Sequence, residues 1–413
     1  VITARHSRGG GRFGQSASRG TLAVTLALLA VGSPGAAATP GQPVAPATPQ
    51  LCGAAVSDIA AAISSSRAQG SPGALIEVAQ KGVSLFGAGY GEADVEHAVP
   101  LTRDTVFPLA SLTKMFTAAA ILKLHEQGRL ALDAPVSTIL PGMPPGLDAV
   151  RIYDLLVQTS GIPDFANDAE TLRTQSVSRS RAEMLALAIR MAQQPHFAPG
   201  TRWEYSNTNY VLLGAIIEQV TGTDLAGAYA ALLFTPAGLS TIRLDNPADV
   251  VPHRARGYRR DPAQPSGFAN AAWLNPSIPG AAGGLRGTAQ DLVRWSKALF
   301  AGPVLRGDTV ALMRAPGRLK DGRTTRAGMP QDWQDGLRSD YAMGLFVRED
   351  TPGGIRLSHS GDIDGFSTWF AYYPASGVTI VQMINSQSAN LEAEQVEAAV
   401  FRKGRRPCLE ARR

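Results

Sequence analysis

Ser111-Leu112-Thr113-Lys114 sets a hydroxyl and an amine three residues apart. On a helix that spacing puts both on one face, so the amine can reach the hydroxyl. A free serine is a poor nucleophile and needs an adjacent base. A lysine at its ordinary pKa of about 10.4 is protonated at neutral pH, so burial or a second cation must lower it before it can take a proton. Tyr205-Ser206-Asn207 adds a phenol, which can act as an acid–base group if an ammonium stabilises its phenolate. Whether Lys114 or Tyr205 accepts the serine proton stays open at this level, and the two are expected to titrate as a unit. Asn207 can donate its amide to a substrate carbonyl. His359-Ser360-Gly361, between two predicted strands, offers an imidazole and a hydroxyl for substrate or for the Tyr205 oxygen, and Gly361 lets a ligand approach the backbone. The backbone N–H groups of Ser111, at a helix start, and of Asp362 can form an oxyanion hole.

Each motif also has a plainer reading. A lone Ser-x-x-Lys arises readily by chance in a chain with six lysines. Tyr-Ser-Asn can be a helix entry capped by Asn207 or Thr208. His359 can be incidental to a turn. Competing chemistries have less support. There is no Gly-x-Ser-x-Gly elbow, no His-Glu-x-x-His pair and no phosphate or dinucleotide loop. The six histidines are scattered, which argues against a zinc site.

The chain has 413 residues, 44 % hydrophobic and 18 % charged, enough for one large or two ordinary domains. The net charge of +5 misleads, because residues 1–38 carry four arginines and no acid. Without them the chain is near neutral. No basic face with interleaved aromatics occurs, which excludes nucleic acid as the expected partner. Residues 1–38 read as an export signal: arginines, then the apolar run Leu22–Val31, then small residues at Ala36-Ala37-Ala38. The run is too short to span a bilayer, so no transmembrane helix is expected in the mature chain. The expected location is periplasmic or extracellular. The two cysteines, Cys52 and Cys408, bracket the domain. They can form a disulfide in an exported protein or remain two thiols.

These groups need elements to position them. Residues 39–53 read as a flexible lead-in, 54–401 as the folded region and 402–413 as a basic tail. Helical apolar spacing covers Ala54–Arg67, Pro108–Gln127, Val150–Val157, Ala182–Gln193, Tyr210–Val220, Ala289–Phe300 and Leu391–Phe401. Ala74–Val78 and Val83–Gly89 alternate as a hairpin, and Tyr341–Arg348, Ile355–Ser358, Ser367–Tyr373 and Val378–Asn385 read as strands. Residues 302–340, rich in Gly, Arg and Asp, read as an exposed loop or insertion. Strands at both ends of a helical middle predict an α/β part from about 54–107 and 275–401, with a helical part at about 108–274 inserted.

Together these blocks resemble the penicillin-recognising serine hydrolases, in the branch with class C β-lactamases, secreted DD-carboxypeptidases, D-aminopeptidases and related esterases. Phe107 to Lys114 resembles the nucleophile segment, and Leu155-Leu156-Val157-Gln158-Thr159-Ser160-Gly161-Ile162 the LLTHTSG stretch. Phe197 to Gly214 resembles the PGxxxxYSNxNYxLLG block. Gly283-Gly284-Leu285 with Asp291, Leu292 and Trp295 resembles GGLxSTAxDLxRW, and His359 to Phe366 with Asn385 the closing strands. The resemblance implies a β-lactamase/transpeptidase-like α/β (α+β) fold: an antiparallel sheet flanked by helices, plus an all-helical domain with the site between. It implies Ser111 as the acylated serine, Lys114 and Tyr205 as the proton-handling pair, and Asn207, His359, Ser360 and Gly361 as substrate contacts. The oxyanion hole would be the amides of Ser111 and Asp362, with no metal or organic cofactor. Efficient β-lactamases carry lysine where His359 stands, which shifts the expectation to a D-alanyl-D-alanine carboxypeptidase-like peptidase. Esterase or β-lactamase activity is the alternative, and a catalytically silent peptidoglycan-binding protein is another. The expected partners are a small peptide, ester or β-lactam substrate and peptidoglycan. A peptidase must also bind the terminal carboxylate, to which Ser360 could contribute, with Arg286, Arg348 and Arg356 as candidates for the charge.

Overall fold

The computed structural model describes residues 49–144, 148–387, 393–402 and 404–411. The expected export signal and most of the lead-in lie outside them. Strands are β1 (Pro49–Leu51), β2 (Gly73–Gln80), β3 (Val83–Asp94), β4 (Val99–Pro100), β5 (Asp340–Tyr341), β6 (Phe346–Thr351), β7 (Gly354–Ile363), β8 (Phe366–Tyr373), β9 (Val378–Ile384) and β10 (Leu409–Ala411). Short pairings such as Phe107–Pro108 with Leu285–Gly287 add to these. Eight strands form one antiparallel sheet in the order β5-β6-β7-β8-β9-β2-β3-β4. The β9–β2 pairing joins the C-terminal strands to the N-terminal hairpin, so the helical middle of the chain is inserted between two halves of one sheet.

The central strands are buried on both faces, and every residue of β9 is buried, polar Thr379 and Gln382 among them. Side chains alternate between two cores. Ala74, Ile76 and Val78 join Trp369, Ala371 and Ile380 under helices α1 (Gly53–Ala68) and Ala393–Val400. Leu75, Ala79, Val381 and Met383 face the larger core, which contains α2 (Thr113–Glu126), α3 (Ile152–Leu156), α4 (Arg181–Ala192), α5 (Asn207–Thr221) and α6 (Ala289–Ala301). Phe116 of α2 stacks on Trp295 of α6 at 4.1 Å, locking the helix beside Ser111 to the helix that covers the sheet.

Two expectations need correction. Residues 302–340 are not an exposed loop. Helix Gly307–Arg314 buries Val310 and Met313, and Leu319, Thr325 and Met329 are buried further on. Apolar residues are sparse there, but they meet a surface supplied by distant segments. A second helix in the stretch is α7 (Gln331–Leu337). His359-Ser360-Gly361 is not between strands but inside β7, paired with Phe370, Trp369 and Thr368 of β8. Polar His and Ser and a glycine hid a strand whose pairing is set by its neighbour.

Cys52 and Cys408 are bonded, with Cα atoms 5.5 Å apart across 356 residues. Beside the bridge, β1 pairs with β10. Closing so long a loop removes entropy from the unfolded chain, with roughly 5 kcal/mol as an upper figure. Calorimetry with and without reductant is expected to show a lower melting temperature when the bridge is reduced. An unchanged melting temperature would mean that the strand pairing alone holds the ends.

Candidate functional site

Ser111 lies in the 3-10 turn Ala110–Leu112, which runs directly into α2. Ala110 takes a positive φ of 46° and so turns the chain just before the serine. The segment is clamped from the side: Leu109 N–H donates to Leu285 O at 2.7 Å, and Leu285 N–H donates to Thr113 Oγ1 at 3.1 Å. This is the structural work of the Gly283-Gly284-Leu285 block. Gly361 serves the same purpose. A Cβ there would meet Leu109 O at 2.4 Å and Thr368 Oγ1 at 2.6 Å. The glycine is therefore needed for β7 to approach the serine turn, a tighter demand than the ligand approach expected of it.

Lys114 is fully buried one turn after Ser111. Its Nζ lies 3.0 Å from Ser111 Oγ, 2.7 Å from Asn207 Oδ1 and 2.7 Å from Ala282 O. Burial lowers its pKa to about 7, with the Asp164 carboxylate partly offsetting the shift. A neutral amine so placed has two hydrogens for two carbonyl-type acceptors and a lone pair left for the serine proton. Tyr205 OH donates to the same Ser111 Oγ at 2.9 Å. Burial holds this phenol well above its ordinary value, and the neighbouring Tyr341 adds to the effect. Tyr205 therefore keeps its proton across the neutral range.

Tyr205 sits on the loop entering α5, and Ser206 rather than Asn207 or Thr208 holds the N-cap position. The next three side chains tie this loop to residues 158–165. Asn207 Nδ2 donates to Asp164 Oδ2 at 2.9 Å. Thr208 Oγ1 donates to Pro163 O at 2.7 Å and accepts from Phe165 N–H at 2.9 Å. Asn209 Oδ1 accepts from Ser160 Oγ at 2.6 Å, and its Nδ2 reaches Gln158 Oε1 at 2.5 Å. Two sequence blocks that look independent are one hydrogen-bonded seam. Asp164 orients Asn207: by accepting from Nδ2, it turns Oδ1 toward Lys114. One of the two Asn207 amide hydrogens is thus already used, leaving a single one for a substrate.

His359 is buried in β7, and Tyr341 OH lies 3.3 Å from its Nε2. Burial, reinforced by nearby Lys114, lowers its pKa to about 3, so it is neutral at working pH. Its ring is 6.3 Å from that of Tyr205. Ser360 is exposed and, by strand alternation, belongs to the opposite face from His359. The structure does not bring its hydroxyl to Ser111. Asp362 stands exposed at the rim of the cleft, where partial desolvation raises its carboxyl.

The sequence reading missed Asp164, the Ala282 carbonyl, Tyr341 and Trp333. Trp333 of α7 stacks beside Tyr205 with centroids 6.2 Å apart and packs on Trp203 at 5.1 Å. Asp164 lies three residues after Gly161, and nothing in the sequence marks it as the partner of Asn207. Trp333 had no signal either, because it comes from the stretch read as loop. The cleft beside Ser111 has a volume of about 320 Å³ and runs past Asn207, Phe165 and Gly283 toward Asp362 and Asp364.

The family described as Beta-lactamase matches residues 59–404. The chain belongs to that family. It is a family of serine hydrolases, and this member is 30 % identical to "Penicillin-binding protein 4*" of Bacillus subtilis over 334 residues, covering 77 % of this chain and 68 % of that protein. It is 29 % identical to "Protein flp" of Staphylococcus aureus over 335 residues, which is 80 % of this chain but only 61 % of that one. This β-lactamase-family chain thus spans about three fifths of the staphylococcal relatives' length. A D-stereospecific amidohydrolase from Streptomyces sp. superposes with a TM-score of 0.69 at 26 % identity, covering 83 % of this chain and 98 % of that one. The fold is β-lactamase/transpeptidase-like, mixed α/β with antiparallel sheets. No helix among the described residues is long and apolar enough to cross a membrane.

Proposed function

We propose that the protein hydrolyses amides and esters through an acyl-enzyme on Ser111, with Lys114 as the base for acylation. The observation that carries this reading is the Ser111 hydroxyl set between Lys114 Nζ at 3.0 Å and Tyr205 OH at 2.9 Å. Ser111 Oγ attacks the carbonyl carbon as its proton passes to Lys114. The oxyanion is met by the amides of Ser111 and Asp362. The carbon–nitrogen or carbon–oxygen bond breaks as Tyr205 gives its proton to the leaving group, and the phenolate is held by the Lys114 ammonium. Water then gives a proton to the phenolate and attacks the ester. The ammonium returns its proton to Ser111 Oγ as that bond breaks, restoring every group.

Tyr205, the proton donor to the leaving group, packs with Tyr341, Trp333 and neutral His359, surroundings that favour uncharged ends over a carboxylate-terminated peptide. Arg286 is engaged by Asp245 and Asp249, Arg348 by Asp350 and Glu394, and Arg356 by Glu397. None is left to receive a terminal carboxylate, and neutral His359 cannot. The relatives named for penicillin binding and for D-stereospecific amide hydrolysis support an acyl-transfer site; the lack of a free arginine among these three and the neutral His359 support an amidase or esterase over a D-alanyl-D-alanine carboxypeptidase. The test compares D-phenylalanine amide, p-nitrophenyl butyrate, a D-alanyl-D-alanine peptide and nitrocefin on one preparation. Amide and ester turnover are expected to exceed D-alanine release at least tenfold; equal or faster D-alanine release overturns the preference. Binding of muropeptides with no turnover of any substrate would point to the silent binding protein. The charge argument leaves localisation untouched; an exported, periplasmic or extracellular enzyme remains our reading of residues 1–38.

The base assignment predicts a pH profile. Neutral Lys114 is the active form, so kcat/KM rises with pH and reaches half its maximum near pH 7. Below that it falls about tenfold per pH unit. No alkaline limb is expected before about pH 10, because Tyr205 is raised above the usual phenol value. An acid limb centred near pH 4 would assign the base to a carboxylate.

A further inference from the structure

A second chamber of about 400 Å³ adjoins the Ser111 cleft. The two spaces share Leu274, Pro279, Gly283, Ile363 and Asp364 as walls. At the junction Gln175 Nε2 donates to Asp364 Oδ2 at 2.8 Å. Beyond it the lining is mainly apolar, with Phe366, Leu285, Pro276 and the indole of Trp273, which is 48 % exposed, beside polar Asn270. Two arginines reach this chamber, and both are neutralised. Arg254 grips Asp245 through two bonds of 2.7 and 2.8 Å, and Arg256 reaches Glu96 at 2.7 Å. Gly257 and Gly365 are pressed together along one wall, where a Cβ on Gly365 would meet Gly257 Cα at 2.7 Å and Ala271 Cβ at 2.6 Å. This is a built cavity of the size that takes small organic groups, with both arginines paired and one carboxylate, Asp364, at its junction with the cleft.

We infer that this chamber receives the distal apolar end of the substrate's acyl group, making the protein selective for amides and esters of long-chain or aryl acids. The inference rests on the acyl-enzyme reading above. The side is decided by Tyr205. The proton donor to the leaving group packs with His359, Tyr341 and Trp333, and none of these four residues lines the cleft or the chamber. The leaving group therefore departs on the His359 side. The acyl group extends the other way, along Asp362 and Ile363, into the chamber. Trp273 stands at the chamber as an aromatic surface that a bound chain would cover.

The experiment uses p-nitrophenyl esters from acetate to decanoate, with the full chain, with Trp273→Ala and with Ala272→Phe. Ala272 and Trp273 are exposed, so neither change threatens the core. For the wild type, kcat/KM should climb about three- to fourfold for each methylene that reaches the chamber. Trp273→Ala should lower the octanoate-to-acetate ratio at least fivefold. Ala272→Phe should move the optimum to a shorter chain. Octyl acetate against ethyl acetate provides the opposite arm, and a gain there in place of the acyl series overturns the assignment of side. Labelling of Ser111 by a short ethyl fluorophosphonate reports the acyl-enzyme separately. Labelling with a flat acyl series, or one that neither variant alters, overturns the chamber alone. No labelling and no turnover overturns both.

Discussion

The Ser111→Ala protein is expected to fold as the wild type does and to lose turnover by at least about 10⁴-fold. The hydroxyl is the single atom to which both Lys114 and Tyr205 are bonded. Without it no covalent ester forms, and the two proton carriers have nothing to act on. The fold should survive because Lys114 keeps Asn207 Oδ1 and Ala282 O as acceptors, and only the Tyr205 hydroxyl loses its acceptor, at a cost of about 1–3 kcal/mol. Intact-mass measurement after fluorophosphonate treatment should show one adduct on the wild type and none on the variant. An adduct on Ser111→Ala, or residual turnover within tenfold of wild type, would remove Ser111 from the chemistry.

Lys114→Met is the second large effect, and it separates activity from stability. Removing the base should lower kcat/KM by about 10²–10⁴-fold. The effect on stability should depend on pH. The folded pKa of Lys114 is about 7, below its unfolded value, so the unfolded chain holds the extra proton between the two. The buried lysine therefore costs most at and below pH 7, and the cost fades as pH rises through the unfolded pKa of about 10.4. A methionine of similar length carries no such penalty, although Ala282 O and Asn207 Oδ1 lose their donor. Measured against the wild type, the variant should therefore be relatively more stable at pH 7 than at pH 10. Denaturant titrations at the two pH values check this. A stability difference that is the same at both pH values would mean that the Lys114 amine is not held below its ordinary pKa. Such a trade-off is expected where a strained group is kept for chemistry.

How much of this is legible in the chain follows from the range of each interaction. Ser111 and Lys114 are one helical turn apart, so their meeting is a local matter. The helix over Asn207–Thr221 announces itself by apolar spacing and stops at Gly222, which takes a left-handed φ of 73°. The meeting of Tyr205 with Ser111, across 94 residues, is legible only through the family resemblance. Asp164 and Trp333 were not legible as site residues. Asp164 acts through the amide of Asn207, and Trp333 through the ring of Tyr205, and neither pairing leaves a spacing signature. The stretch 302–340 failed for a related reason: its few buried residues, Leu319 and Met329 among them, are buried by what docks on them and not by a periodicity of their own. His359 was expected beside strands and lies within one, because a strand in the middle of a sheet tolerates polar residues that its neighbours can bury.

The joined ends of the folded region carry a consequence for engineering. With Cys52 bonded to Cys408 and the flanking residues paired, the folded region leaves and re-enters at almost one point. Such a body can be grafted as an insert into the surface turn of a host protein, whose own two halves need separate no further than that narrow stalk. The hydrolase would then be carried as a pendant, detachable from the host by cutting on either side of the stalk.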